Sequence, residues 1–103
     1  LQLELATTPA TQAAGLMHRP PLAPDAGMLF VWAQPAIRTF WMRETPQSLD
    51  LIFLRHGRVV GMIEHAAPLS DAPLSVATPA DQVLELAAGS VQRYRVDFST
   101  RLR

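Results

Sequence analysis

The sequence predicts one α+β domain: a mostly antiparallel, strongly curled sheet or small open β-barrel carrying one or two short helices. Its 103 residues lie near the commonest size for a single domain, so residues 1–103 are expected to form one unit. Apolar residues make up 49% of the chain, enough for one core without a disulfide or metal staple. The elements come as a strand, a helix and then mainly strands, an order that does not alternate as parallel βαβ units do.

Leu1, Leu3 and Leu5 alternate with Gln2 and Glu4, the period of a half-buried strand. Thr7 or Thr8 before Pro9 marks a helix start, a hydroxyl to cap and a proline whose missing N–H is harmless there. Ala10, Ala13, Ala14 and Met17 follow at helical spacing, and Pro20-Pro21 must end the helix. After a loop through Pro24-Asp25-Ala26-Gly27, the wholly apolar run Met28–Trp32 reads as a strand buried on both faces.

Gln34-Pro35 breaks that run. Ile37 to Arg43 is the next expected strand, with Arg38, Phe40 and Met42 on one face and Ile37, Thr39 and Trp41 on the other. Beyond Pro46, Leu49–Arg55 and Val59–Glu64 make two strands joined by Arg55-His56-Gly57-Arg58, a two-residue hairpin turn with glycine where positive φ is needed. Pro68, Pro73 and Pro79 exclude a long element from Ala66 to Pro79, a loop expected to wrap the core and not to cover a cleft. Gln82–Ala87 is a strand, Val91–Tyr94 a short helical piece, and Val96–Leu102 a final strand.

Composition removes several function classes. Nine acidic residues balance nine basic ones, so no net field favours nucleic acid or an anionic membrane. Every basic residue is arginine; without lysine there is no Schiff-base chemistry and no phosphate-loop lysine. Without cysteine there are no disulfides, thiolate metal sites or cysteine nucleophiles. No apolar run approaches the roughly 20 residues that span a bilayer. The chain opens at Leu1 without an initiator methionine, so a trimmed start is expected.

Gly15-Leu16-Met17-His18-Arg19, Gly27-Met28-Leu29-Phe30, Phe40-Trp41-Met42-Arg43, Leu49-Asp50-Leu51-Ile52-Phe53 and Val83-Leu84-Glu85-Leu86 with Ala88-Gly89 form an ordered set of motifs. In order and spacing they resemble the prokaryotic domain of unknown function 192 family, from about Leu1 to Gly89. The resemblance implies a single α+β domain with a barrel-like core and, because many members carry an export signal or membrane anchor, an extracytoplasmic location. It implies no activity. Where the family usually has asparagine this chain has Glu44, and where the family tends to close with glycine-aspartate it reads Phe98-Ser99-Thr100-Arg101.

Phe40–Thr45 is the expected functional segment. Two residues apart on a strand, Trp41 and Arg43 share a face, and an indole beside a guanidinium makes a platform for a sugar, a planar ligand or a carboxylate. The plain alternative is a core tryptophan with Arg43 paired to Glu44 or Asp50. Asp50 shares a face with Ile52 and Leu54, where a carboxylate must be hydrogen-bonded or paired. Its candidate partners are Arg43, Arg38, Arg19 or backbone N–H groups of Pro46-Gln47-Ser48, which makes it either a structural clamp or a polar group in a cleft.

Glu44 with Asp50 could serve as the carboxylate pair of a hydrolase, a chemistry that needs the two roughly 5–10 Å apart across a cleft. His18, His56 and His65 have no metal-site spacing, and neither a Gly-x-Ser-x-Gly elbow nor a phosphate-binding glycine loop is present. No metal or cofactor is therefore expected. Met17, Met28, Met42 and Met62 read as core filling. Glu85 reads as an outward strand position, with an arginine pairing as the alternative that the resemblance implies.

The leading expectation is a non-catalytic binding domain for a small polar or anionic ligand or a partner segment. Arg19, Arg38, Trp41, Arg43, Glu44 and Asp50 are its binding residues, with the arginines holding the anionic or hydroxylated group and Trp41 offering an apolar surface. The alternatives are the hydrolase using Asp50 and Glu44, and a structural or partner-docking module.

Overall fold

The computed structural model describes residues 1–102. Its elements are β1 (Gln2–Ala6), α1 (Pro9–Ala14), β2 (Ala26–Ala36), β3 (Thr39–Phe40), β4 (Leu49–Arg55), β5 (Arg58–Ala66), β6 (Leu74–Ser75), β7 (Ala80–Ala87) and α2 (Ser90–Arg93). Five strands form one sheet in the order β1-β2-β7-β4-β5, and β3 with β6 form a separate two-stranded ribbon.

The α+β class is as expected, but the sheet is neither closed nor strongly curled, and it is mixed. β1 runs parallel to β2, with Leu3 opposite Gly27 and Leu5 opposite Leu29, while β2–β7, β7–β4 and β4–β5 are antiparallel. The parallel pair follows from the connection: α1 lies between β1 and β2, and a crossover of that length returns the chain to the same end of the sheet. The two faces are then covered by different segments, so β1 and β5 stay as edges and closure is not needed to build a core.

One face packs Met28, Phe30, Leu49, Leu51, Phe53 and Val83 against Leu16, Met42 and Leu74 from outside the sheet. The other packs Leu29, Ile52, Leu54, Leu84 and Leu86 against Val91, Val96 and Leu102. Burial on both sides explains why the central strands read as nearly continuous apolar runs. On the first face the rings of Phe30, Phe40 and Phe53 meet edge to face, with centroids 5.1 Å apart for Phe30–Phe40 and 6.0 Å for Phe40–Phe53.

The break expected at Gln34-Pro35 does not occur: β2 runs through both to Ala36, which pairs with Ala80 after a register irregularity beyond Val31, an arrangement that tolerates a proline without a ladder N–H. Four other local expectations change. Helix α1 starts as expected, with Thr8 at the N-cap in a capping box with Thr11 and Pro9 in the first turn, but it stops at Gly15, not at Pro20. Gly15 has φ +48°, a left-handed conformation that favours glycine, and the turn it makes drops Leu16 into the core. The strand expected over Ile37–Arg43 keeps only Thr39 and Phe40, because the chain turns back at Met42, whose carbonyl accepts from the Thr45 N–H at 3.1 Å. Val96–Leu102 makes only an isolated bridge, Arg58 with Arg101; the Asp97 carboxylate accepts the Ser99 N–H at 2.8 Å and bends the chain away.

The fourth change concerns Ala66–Pro79. This segment contributes β6, which pairs Leu74 with Phe40 and Ser75 with Thr39, and so it lies over the first face beside Trp41. Gly61 makes the approach possible, since a Cβ there would stand 2.6 Å from a Val76 methyl. The segment is a cover, not a wrapping.

Candidate functional site

Under that cover, between α1, the ribbon and the sheet, lies a cavity of about 330 Å³. This is the lower end of the range for small-molecule pockets, roughly 300–1,000 Å³. Leu16, Met17, Phe30, Phe40, Met42 and Leu49 give it apolar walls, and Trp41 and Pro73 stand at its edge. Its polar lining is sparse: the hydroxyls of Thr39 and Thr45 and the carboxyl groups of Asp71 and Glu85.

Glu85 is the unusual member. It sits on β7 opposite Met28 of β2 on one side and Leu51 of β4 on the other, both fully buried. It is itself only 4% exposed, and although its backbone pairs with both neighbouring strands, its carboxyl has no hydrogen bond or ion pair among the described residues. Among the described residues, every side-chain nitrogen or oxygen sealed from solvent has a hydrogen-bond partner. The Glu85 carboxyl is therefore not sealed; what surface it keeps opens into the cavity it lines. Burial without a partner pushes its pKa up to about 8, so at neutral pH the group is mostly a neutral acid.

The cavity's rim is built from three loops tied together. The Arg43 guanidinium lies over the Trp41 indole, 3.6 Å from the ring centroid, and its Nε donates to Asp71 Oδ1 at 2.9 Å. Trp41 is 45% exposed, so this stack faces solvent. His18 and Glu44 approach at 3.0 Å through Nε2 and Oε1, and the His18 N–H donates to the Glu44 carbonyl at 2.9 Å. His18, Glu44 and Leu69 all have positive φ, at 60°, 54° and 61°. Such positions cost of order 1–3 kcal/mol each and persist where the surroundings fix them. Here the fixing bonds are His18–Glu44 and the Leu69 N–H to the Thr45 carbonyl at 3.0 Å.

The six residues singled out in the sequence do not converge. Trp41 lines the cavity, Arg43 reaches it through Trp41 and Asp71, and Glu44 stands one residue from the lining Thr45. Arg19 is bound to Glu4 of β1, with one guanidinium nitrogen 2.7 Å from Glu4 Oε2, and that hydrogen bond holds the Glu4 carboxyl below its usual range. Arg38 lies over Trp32 at 4.0 Å and donates to the Ala80 carbonyl at 2.9 Å.

Asp50 is on the opposite face of the sheet, opposite Leu86, and fully buried. Its Oδ1 accepts the His65 N–H at 2.9 Å, and its Oδ2 accepts those of Gly89 and Val91 at 3.1 and 2.9 Å. None of the arginine partners considered for it, nor the Pro46–Ser48 turn, is among those donors. Asp50 fastens the start of α2 and the end of β5 to the sheet.

Glu85 is the residue that sequence reasoning placed outward. Val83, Glu85 and Ala87 share one face of β7, and Val83 is completely buried. An apolar residue on each side of the acid, along a strand whose other face carries Leu84 and Leu86, is the signal that both faces are covered.

Fold and site together define a class: an open, two-faced α+β sheet with a mostly apolar cavity under a short ribbon and a buried acid among its walls. The chain belongs to the DUF192 family, an uncharacterized ACR family whose model matches residues 1–103. A crystal structure of a "putative transcription regulator" from Sinorhizobium meliloti 1021 is 38% identical, with a TM-score of 0.94 over 98% of this chain and 79% of that one. A protein of unknown function from Novosphingobium aromaticivorans DSM 12444 is 41% identical, with a TM-score of 0.88 over 92% of this chain and 69% of that one. No curated protein matches. No helix among the described residues is long and apolar enough to cross a membrane.

Proposed function

We propose that the chain is a non-catalytic binding domain whose cavity takes a small ligand, held by apolar walls and anchored by a hydrogen bond to Glu85. The observation that carries this reading is the Glu85 carboxyl, on a residue only 4% exposed, which lines that cavity without a hydrogen-bond partner among the described residues. A ligand donor in the cavity would supply the hydrogen bond that this carboxyl lacks, in surroundings where such a bond is strengthened by the low local dielectric. A pocket with apolar and aromatic walls and few polar groups is the usual form of a small-molecule site. Trp41 and Arg43 then act at the entrance, with Glu44 bracing the rim through His18. Arg19, Arg38 and Asp50 serve the scaffold.

The test is a fragment screen by methyl NMR on the parent chain and on Ala14→Trp. Ala14 lines the cavity from an exposed helix position, so an indole there fills the mouth without disturbing the sheet. Hits are expected to shift the methyl signals of Leu16, Met42 and Leu49, and to lose at least tenfold in affinity in Ala14→Trp. Hits that bind both proteins equally would place the site elsewhere and overturn the reading.

A further inference from the structure

Resting on the cavity as a ligand site, we infer that its ligand is a small organic cation, an amine with an apolar body whose ammonium group is held by the Glu85 carboxylate. Among the described residues, the ionisable groups that line the cavity are Glu85 and Asp71, both acidic, and no arginine or histidine lines it. Every element around Glu85 fits this. On its own sheet, Met28 and Leu51 flank it and Phe30 and Leu49 stand nearby; from α1 and its turn come Ala13 to Met17; from the ribbon side come Thr39 to Met42 and Thr45. None of these ionises. Asp71 already holds Arg43, while His18 and Glu44 are paired to each other beyond the lining.

An anion inside this cavity faces carboxyl groups, and the rim's Arg43 is already held by Asp71, so the anionic ligand expected from the arginines does not fit it. A cation meets the reverse. Phe30, Phe40 and Trp41 contribute aromatic walls, and aromatic faces attract ammonium groups within about 6 Å. About 330 Å³ accommodates a single ring with a short amine-bearing chain.

The ammonium group binds the ionised carboxylate. When Glu85 carries its proton, cation binding releases that proton to solvent. Because burial raises Glu85 to about 8, affinity for an amine is expected to rise about tenfold per pH unit up to that value and to level above it. The amine stays charged until about pH 10.

Three matched probes decide the matter: 2-phenylethylamine, 2-phenylethanol and phenylacetate, titrated by methyl NMR into the parent chain and Glu85→Gln. At pH 8.5 the amine is expected to bind at least tenfold more tightly than the alcohol, with phenylacetate weakest. Amine affinity should fall about tenfold per unit from pH 8 to pH 6, and Glu85→Gln should erase the amine's advantage over the alcohol and its pH dependence. An alcohol that binds as tightly as the amine at pH 8.5, or amine affinity constant from pH 6 to 8.5, overturns the cation and leaves the cavity reading standing. If none of the probes shifts the cavity methyls, the cation is also overturned, and the cavity itself stands or falls on the fragment screen. Should Glu85→Gln not fold, the pH series on the parent chain decides alone.

Discussion

Asp50 of β4 and Glu85 of β7 are buried acids on neighbouring strands, one register step apart, and they point to opposite faces of the sheet. Asp50 accepts three backbone N–H groups and faces the packed side under α2. Glu85 has no partner among the described residues and faces the cavity under the ribbon. Two acids of similar burial thus have different surroundings. Where the backbone supplies the donors, the acid is part of the scaffold; where no described group does, the acid is the one that the proposed ligand would engage.

The comparison can be broken most severely at Asp50. Asp50→Ala removes the acceptor from three N–H groups, two of them in the tight turn into α2, and is expected to lower stability by about 3–5 kcal/mol in urea denaturation. Asp50→Asn, which keeps one acceptor oxygen, should lose less. A loss below about 1 kcal/mol for the alanine variant would show that the three bonds do not hold α2.

Glu85→Gln is expected to act in the opposite direction, and only at high pH. The folded acid has a raised pKa of about 8, so between its ordinary value near 4.5 and that point the folded state holds a proton that the unfolded state has lost. Its contribution to stability is complete below about pH 4.5 and declines as pH rises, by about 1.4 kcal/mol per unit, until it levels near 8. Glutamine does not titrate. The two proteins should have similar urea midpoints at pH 5, and Glu85→Gln should be clearly more stable at pH 9. A constant difference across that range would mean that Glu85 is not buried as an unpartnered acid.

The smallest effect is expected at the rim. Arg43→Ala removes an exposed ion pair and an exposed stack, each worth up to about 1 kcal/mol, so stability should change by no more than about 2 kcal/mol. If the rim closes over a ligand, the same variant should release the fragment hits faster, which lineshape analysis of the titrations reads directly. Unchanged dissociation rates would confine Arg43 to the surface.

Asp50 was recognisable in the sequence as a carboxylate on an apolar strand face, but its donors were not. They are backbone groups of His65, Gly89 and Val91, which carry no side-chain signal and come from distant parts of the chain. Glu85 was harder. An acid between Leu84 and Leu86 has the alternation of an outward position, and that pattern assumes one wet face. The strands were legible because apolar runs and prolines bound them, and the Trp41–Arg43 stack was legible from spacing, although the backbone there is a turn and not a strand. The openness of the sheet was not legible: whether a curled sheet closes depends on what covers its faces, here the β3–β6 ribbon and the chain after α2. Pairings as short as Phe40 with Leu74 leave almost no trace in a sequence.

The most direct measurement is a carbon-detected NMR titration of the Glu85 side-chain carboxyl in uniformly labelled protein, with and without 2-phenylethylamine. The free protein is expected to show a midpoint near pH 8, and the amine should move it downward by favouring the ionised form. A midpoint in the ordinary carboxyl range of about 4–5, unmoved by the amine, would contradict an unpartnered acid waiting in the cavity.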